Sequence, residues 1–198
     1  DALIKLDRIF DAKTVLAKAK SKGANGEAFD QLEQRVNALN VVSTNPSKNQ
    51  LQQLINLYQQ GRLKQALSHA TLMLEQFPNS IDIYNIAGAS NAGLRQFDAA
   101  IDCFTQVLNI KPDHAEAYSN MGVALKDKGD LEAAIDCFTQ AVKIKPNYAE
   151  AYLNMGVTLN DKGDLGAAID CFTQAVKIKP DYAEAYLNMG VTLNDKGD

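Results

Sequence analysis

Residues 149–182 read AEAYLNMGVTLNDKGDLGAAIDCFTQAVKIKPDY. Residues 115–148 repeat them except at five of 34 positions: Ser119/Leu153, Ala124/Thr158, Lys126/Asn160, Glu132/Gly166 and Asn147/Asp181. Within 149–162, Tyr152, Met155, Gly156 and Leu159 fall at i, i+3, i+4 and i+7, one face of an α-helix. Gly163 breaks that helix by supplying a conformation that other residues reach only with strain. Asp164 then caps a second helix that buries Leu165, Ala168, Ile169, Phe172, Ala175 and Val176. Lys179-Pro180 stops it, because the residue before proline is pushed out of the helical region. Asp181 with Glu184, like Asp113 with Glu116, predicts a cap and capping box for the helix that follows.

The same unit extends outward in both directions. Ile81–His114 is a looser copy, Ser47–Ser80 a looser one still, and Ala183–Asp198 is the first half of another. Counted within the unit, Tyr84, Tyr118, Tyr152 and Tyr186 stand at place four, and Gly88, Gly122, Gly156 and Gly190 at place eight. Ala66, Ala100, Ala134 and Ala168 stand at place twenty, and Pro78, Pro112, Pro146 and Pro180 at place thirty-two. Small residues at places eight and twenty let paired helices approach closely. One such hairpin has too little core to stand alone, so the units are expected to stack into an all-α solenoid.

This arrangement resembles the tetratricopeptide repeat (TPR) family, which puts an aromatic, a small residue, an Ala and a Pro at these places. The resemblance implies a right-handed superhelix of hairpins with the first helices lining its concave side. It covers 47–80, 81–114, 115–148 and 149–182, with 183–198 as the first helix of a fifth unit. Two departures stand out. The first unit has Leu54 where others have Gly and Gln50 where they have Tyr, as in a boundary unit; the second has Arg95 in place of the turn glycine, which predicts a different hairpin. Residues 1–46 read as a divergent helical segment. There Ile9, Ala12, Leu16 and Ala19 mimic a second helix, and Glu27–Asn40 carries Phe29, Leu32, Val36 and Leu39. Residues 41–46 read as a joint, either hinge or packed corner. The chain lacks an initiator Met and stops in mid-pattern, as a piece of a longer polypeptide would.

Composition narrows the function classes. Lys and Arg number 20 against 24 Asp and Glu, a formal charge of −4, which argues against nucleic acid or an anionic membrane as partner. No apolar run approaches the ~20 residues a membrane-spanning helix needs. Cys103, Cys137 and Cys171 lie 34 residues apart in the phrase Ile-Asp-Cys-Phe-Thr-Gln, one slot in successive units rather than a metal or redox cluster. They read as packing residues in a reducing compartment, the cytoplasm by default. His69 and His114 have no periodic acidic or thiol companion, and no phosphate loop, nucleophile elbow or zinc motif occurs. The repeated Asp-Lys-Gly-Asp lacks the run of oxygen ligands that calcium needs. No catalytic residue, metal site or cofactor is therefore expected.

What remains is a surface. Places two, five, six, nine, twelve and thirteen of each first helix point away from the partner helix. Place six holds Asn120, Asn154 and Asn188, similar to the asparagine ladder in the TPR region of O-linked N-acetylglucosamine transferases. A primary amide both donates and accepts, so a row of them would hold an extended chain by its backbone. Ile86 interrupts the row in the second unit. Val123, Val157 and Val191 at place nine, with Leu153 and Leu187 at place five, give an apolar floor. Glu116 and Glu150 at place two, Lys126 at twelve, and Asp127 and Asp161 at thirteen flank it, favouring a polar or basic segment. The basic carboxylate clamp of TPR co-chaperones is not reproduced. The leading expectation is a scaffold that binds an extended peptide in a concave groove. One alternative is a substrate-presenting or spacer array of a larger transferase, since bacterial TPR–transferase proteins carry similar units. The other is end-to-end self-association through the apolar face of Tyr186, Met189 and Leu193.

Overall fold

In the computed structural model, residues 15–16, 18–20, 23, 25–38 and 45–197 are described, and no strand occurs among them. Residues 15–16 and 18–20 are helical, and from residue 27 on ten helices follow one another among the described residues: α1 (Glu27–Ala38), α2 (Lys48–Gln59), α3 (Leu63–Gln76), α4 (Ile81–Gly93), α5 (Phe97–Ile110), α6 (Ala115–Lys128), α7 (Leu131–Ile144), α8 (Ala149–Lys162), α9 (Leu165–Ile178) and α10 (Ala183–Lys196). Ile9, Ala12, Leu39 and the centre of the expected joint, 41–44, lie outside the described residues.

From α2 to α10 each helix packs on the next, so the chain is a stack of hairpins with α10 as a half unit. The first helices of neighbouring hairpins also touch: α2 meets α4, α4 meets α6, α6 meets α8 and α8 meets α10. The second helices do not come together to this extent. A row of elements that touch has the smaller radius, so the first helices form the inner wall of the curve.

Turns and caps follow from single residues. Gly129, Gly163 and Gly197 end α6, α8 and α10 with φ of +98°, +90° and +85°, the left-handed conformation that closes a helix C-terminus. Arg95 holds the same place at φ +60°, so the second hairpin turns as the others do rather than differently. Its guanidinium lies 5.4 Å from the Phe97 ring centre. Asp130 and Asp164 cap the second helices by accepting from Ala133 N and Ala167 N. The first helices depart from expectation. Their N-caps are His114, Tyr148 and Tyr182, the first and last of them one residue after the expected Asp113 and Asp181; only His114 caps with its side chain, and the reciprocal capping box occurs at Ser47 and Gln50.

The core is built on a ring against a missing side chain. Phe104, Phe138 and Phe172 are at most 1% exposed. A Cβ added at Gly88, Gly122 or Gly156 would stand 2.7, 2.8 or 2.6 Å from the facing ring. Leu54 explains itself here. It and Ala70 occupy the glycine and phenylalanine places of the first unit, and both are fully buried in one cluster. Bulk has changed sides with the total nearly kept, which close packing requires.

Gly166 stands inside α9, where a built Cβ meets only Asp164 Oδ1 at 3.9 Å. Replacing this interior glycine by alanine costs no space and narrows the unfolded ensemble. Gly166→Ala is expected to raise unfolding free energy by about 1 kcal/mol in urea titration.

Candidate functional site

The inner wall carries the sequence-derived surface unevenly. At place six, Asn120 is exposed and Asn154 and Asn188 are half-buried. Their side-chain amides make no hydrogen bond within the described residues. The backbone carbonyls of Asn154 and Asn188 do, accepting from Thr158 Oγ1 at 2.7 Å and Thr192 Oγ1 at 2.8 Å. Those bonds use only the backbone of Asn154 and Asn188 and leave the amides available. Val123 and Val157 are half-buried and Val191 is exposed.

Place five does not belong to the groove. Ser119 is 2% and Leu153 3% exposed, and Leu153 packs with Ala168, Phe172, Ala175 and Ala185. The partner helix α9, with Ala185 of α10, covers this position, so Leu153 leaves the binding surface. Leu187, its equivalent on α10, is 68% exposed.

The carboxylates are also unequal. Glu116 Oε1 accepts from Lys145 Nζ at 2.7 Å, and this hydrogen bond is the main reason its carboxyl titrates below the usual range. His114 Nδ1 lies 3.6 Å from Glu116 Oε2 but already accepts the Ala117 N–H, so this second contact is not an ion pair. Glu116 is therefore an ionised carboxylate already paired with Lys145. Lys126 Nζ sits 3.3 Å from Asp127 Oδ1, while Glu150 and Asp161 are exposed.

Three features of the wall escaped the sequence reading. Lys145 Nζ stands 4.6 Å from the Tyr148 ring centre, and Lys179 Nζ 4.4 Å from that of Tyr182. Burial raises the hydroxyl pKa of Tyr148. The Asn160 side-chain amide stands 3.0 Å from Thr192 Oγ1, within hydrogen-bond distance, bringing α8 and α10 together. The recurrent Lys-x-x-Tyr of 145–148 and 179–182 was the available signal for the first two; the third needs a register between units.

Chemistry of other kinds finds little support. The three cysteines are free. Burial, followed by the charges of neighbouring aspartates, pushes the thiols of Cys137 and Cys171 up to about 11, away from a reactive thiolate. Among the described residues no group of His, Cys, Asp and Glu side chains is placed to hold a metal ion, and no helix is long and apolar enough to cross a membrane.

Three family profiles match this array. Two described as tetratricopeptide repeat match 115–148 and 137–170; a third, described as TPR repeat, matches 95–129 and 158–197. The chain belongs to the tetratricopeptide repeat family. Solved TPR structures share its course. A crystal structure of MamA is 25% identical with a TM-score of 0.66, over 72% of this chain and 83% of that one. YrrB, described as a TPR protein with an unusual peptide-binding site, is 23% identical with a TM-score of 0.61, over 77% and 78%. The first TPR of Spaghetti (RPAP3), bound to an HSP90 peptide, is 19% identical with a TM-score of 0.57, over 60% and 94%. No curated protein sequence matches the chain.

Proposed function

We propose that this TPR array is a protein-interaction scaffold that holds an extended peptide along its inner wall. The observation that carries the reading is the row Asn120, Asn154 and Asn188, whose amides have hydrogen-bonding capacity left over on the side formed by the first helices. Val123, Val157 and Val191 supply apolar contact beside them, and Glu150 and Asp161 favour a polar or basic peptide. Peptide binding by YrrB and by the Spaghetti TPR supports the general mode, not the ligand. Buried, unpaired thiols suit a reducing compartment, and we place the protein in the cytoplasm.

The test uses two fluorescein-labelled pools of extended peptides, one rich in Lys and Arg, the other in Asp and Glu. The basic pool is expected to bind more tightly. The combined variant Asn120→Ala, Asn154→Ala, Asn188→Ala removes three hydrogen bonds of roughly 0.7 kcal/mol each, a loss of about 30-fold in affinity. Its thermal unfolding is expected to match the parent's. Equal affinities of parent and variant would remove the row from the binding surface.

A further inference from the structure

The row of amides on the inner wall is broken at α4, and what stands in its place is apolar. Ile86 holds place six there, with Ala89 and Ala92 at places nine and twelve, all three half-buried. Ile86 packs on the cluster of Leu54 and Ile83, and Ala92 on that of Phe104 and Ala124, so both are held from behind. Place thirteen is an exposed aspartate on α6 and α8 but Gly93 on α4. The space of its side chain is taken by Leu63: a Cβ at Gly93 would stand 2.6 Å from Cδ1 of that leucine. On the neighbouring α2 the apolar line continues through Ile55, half-buried, and Tyr58, 38% exposed.

Charge is distributed the other way. Lys48 on α2 and Asp82 on α4, both at place two, balance each other. On α6, Glu116 is engaged by Lys145 and Asp127 by Lys126. Glu150 and Asp161 on α8 are exposed and make no salt bridge among the described residues, so uncompensated negative charge on the wall begins at α8. Neighbouring first helices touch, which sets their axes about 10 Å apart, while an extended chain advances about 3.3 Å per residue. From α4 through α6 to α8 is therefore the reach of about six residues.

We infer that the peptide is recognised by two features in fixed register: a large apolar side chain laid on α4, and a lysine or arginine about six residues away, over Glu150 and Asp161. This rests on the groove reading and adds to it what the groove selects. A peptide backbone laid on Ile86, Ala89 and Ala92 would lose water and find no partner, whereas an apolar side chain gains by covering them. The break in the asparagine row becomes the point where a side chain is read instead of the backbone.

The probes are fluorescein-labelled Ser/Gln/Thr peptides titrated against the full chain, each made in both chain directions. The first carries leucine and arginine about six residues apart, the second carries them adjacent, and the third has serine for the leucine of the first. In one direction the spaced peptide is expected to bind about tenfold more tightly than either control. Ala89→Val with Ala92→Lys copies places nine and twelve of α6 onto α4, residue types this fold already accepts there. It is expected to bring the spaced peptide down to the serine peptide, with thermal unfolding unchanged. Glu150→Gln with Asp161→Asn, at two exposed positions, is expected to equalise the spaced and adjacent peptides. Equal binding of all three peptides by the parent would overturn the register and leave the groove standing; binding of none would remove both. Sedimentation in which the parent dimerises, and Ala89→Val with Ala92→Lys dissolves the dimer, would give α4 to a second copy and overturn the inference.

Discussion

Gly122→Leu is expected to destabilise the array by about 3 kcal/mol, and adding Phe138→Ala to cost little or nothing further. The first half follows from space. A Cβ at residue 122 already stands 2.8 Å from Cε1 of Phe138, and that ring is fully buried with nowhere to retreat. Removing a helical glycine gains only ~0.8 kcal/mol, far less than forcing an isobutyl group into a filled core. Alone, Phe138→Ala opens a cavity worth roughly 3–5 kcal/mol. Together the changes reproduce the pair the protein already uses in its first unit, where Leu54 faces the place of Ala70 and both are fully buried. A coupling energy of about 3 kcal/mol is expected from the double-mutant cycle. Urea unfolding of the four proteins measures it; simple addition of the two losses would show that the glycine and the ring are not one packing unit.

The second large effect compares one substitution at two places of identical local sequence. Leu153→Ala is expected to cost about 3 kcal/mol, within the range for a leucine removed from a closed core. Leu187→Ala is expected to change unfolding free energy by less than ~0.5 kcal/mol, as for a surface site. Helix propensity, neighbours in sequence and place in the repeat are the same for both. Only the packing over Leu153, by Phe172 of its partner helix α9 and Ala185 of α10, differs. Matching losses would mean that exposure of Leu187 is not a property of the protein in solution.

These two cases mark what the sequence could and could not disclose. The hairpins were legible because units differing at five of 34 positions cannot adopt unlike structures, and because the turn at Gly163 and the cap at Asp164 are local devices. Leu153 reads as groove on a helical wheel because the wheel does not show how far Phe172 of the partner helix α9, and Ala185 of α10, reach across α8. Glycine at place eight was read as letting helices approach, yet the space belongs to a ring sixteen residues on. Hence Leu54 looked like a boundary signal until Ala70 was set opposite it. The caps shifted by one residue because His114, Tyr148 and Tyr182 stand directly before their helices, and there only the histidine offers an acceptor to the backbone. Arg95 misled in the other direction: a residue with a side chain was taken to change the turn, and the backbone kept φ +60° instead. The candidate site was half legible. Periodicity singled out the recurring asparagine of place six and the family resemblance suggested its side of the curve, whereas the engagement of Glu116 by Lys145 needed coordinates, 29 residues apart in the chain.

Among the described residues from α2 to α10, packing runs from each helix to its successor and along the row of first helices, and this has a mechanical corollary. A pull applied across that span loads its hairpins in series. Extension therefore yields in increments of one hairpin, and the elastic compliance of the whole grows in proportion to the number of units strung together.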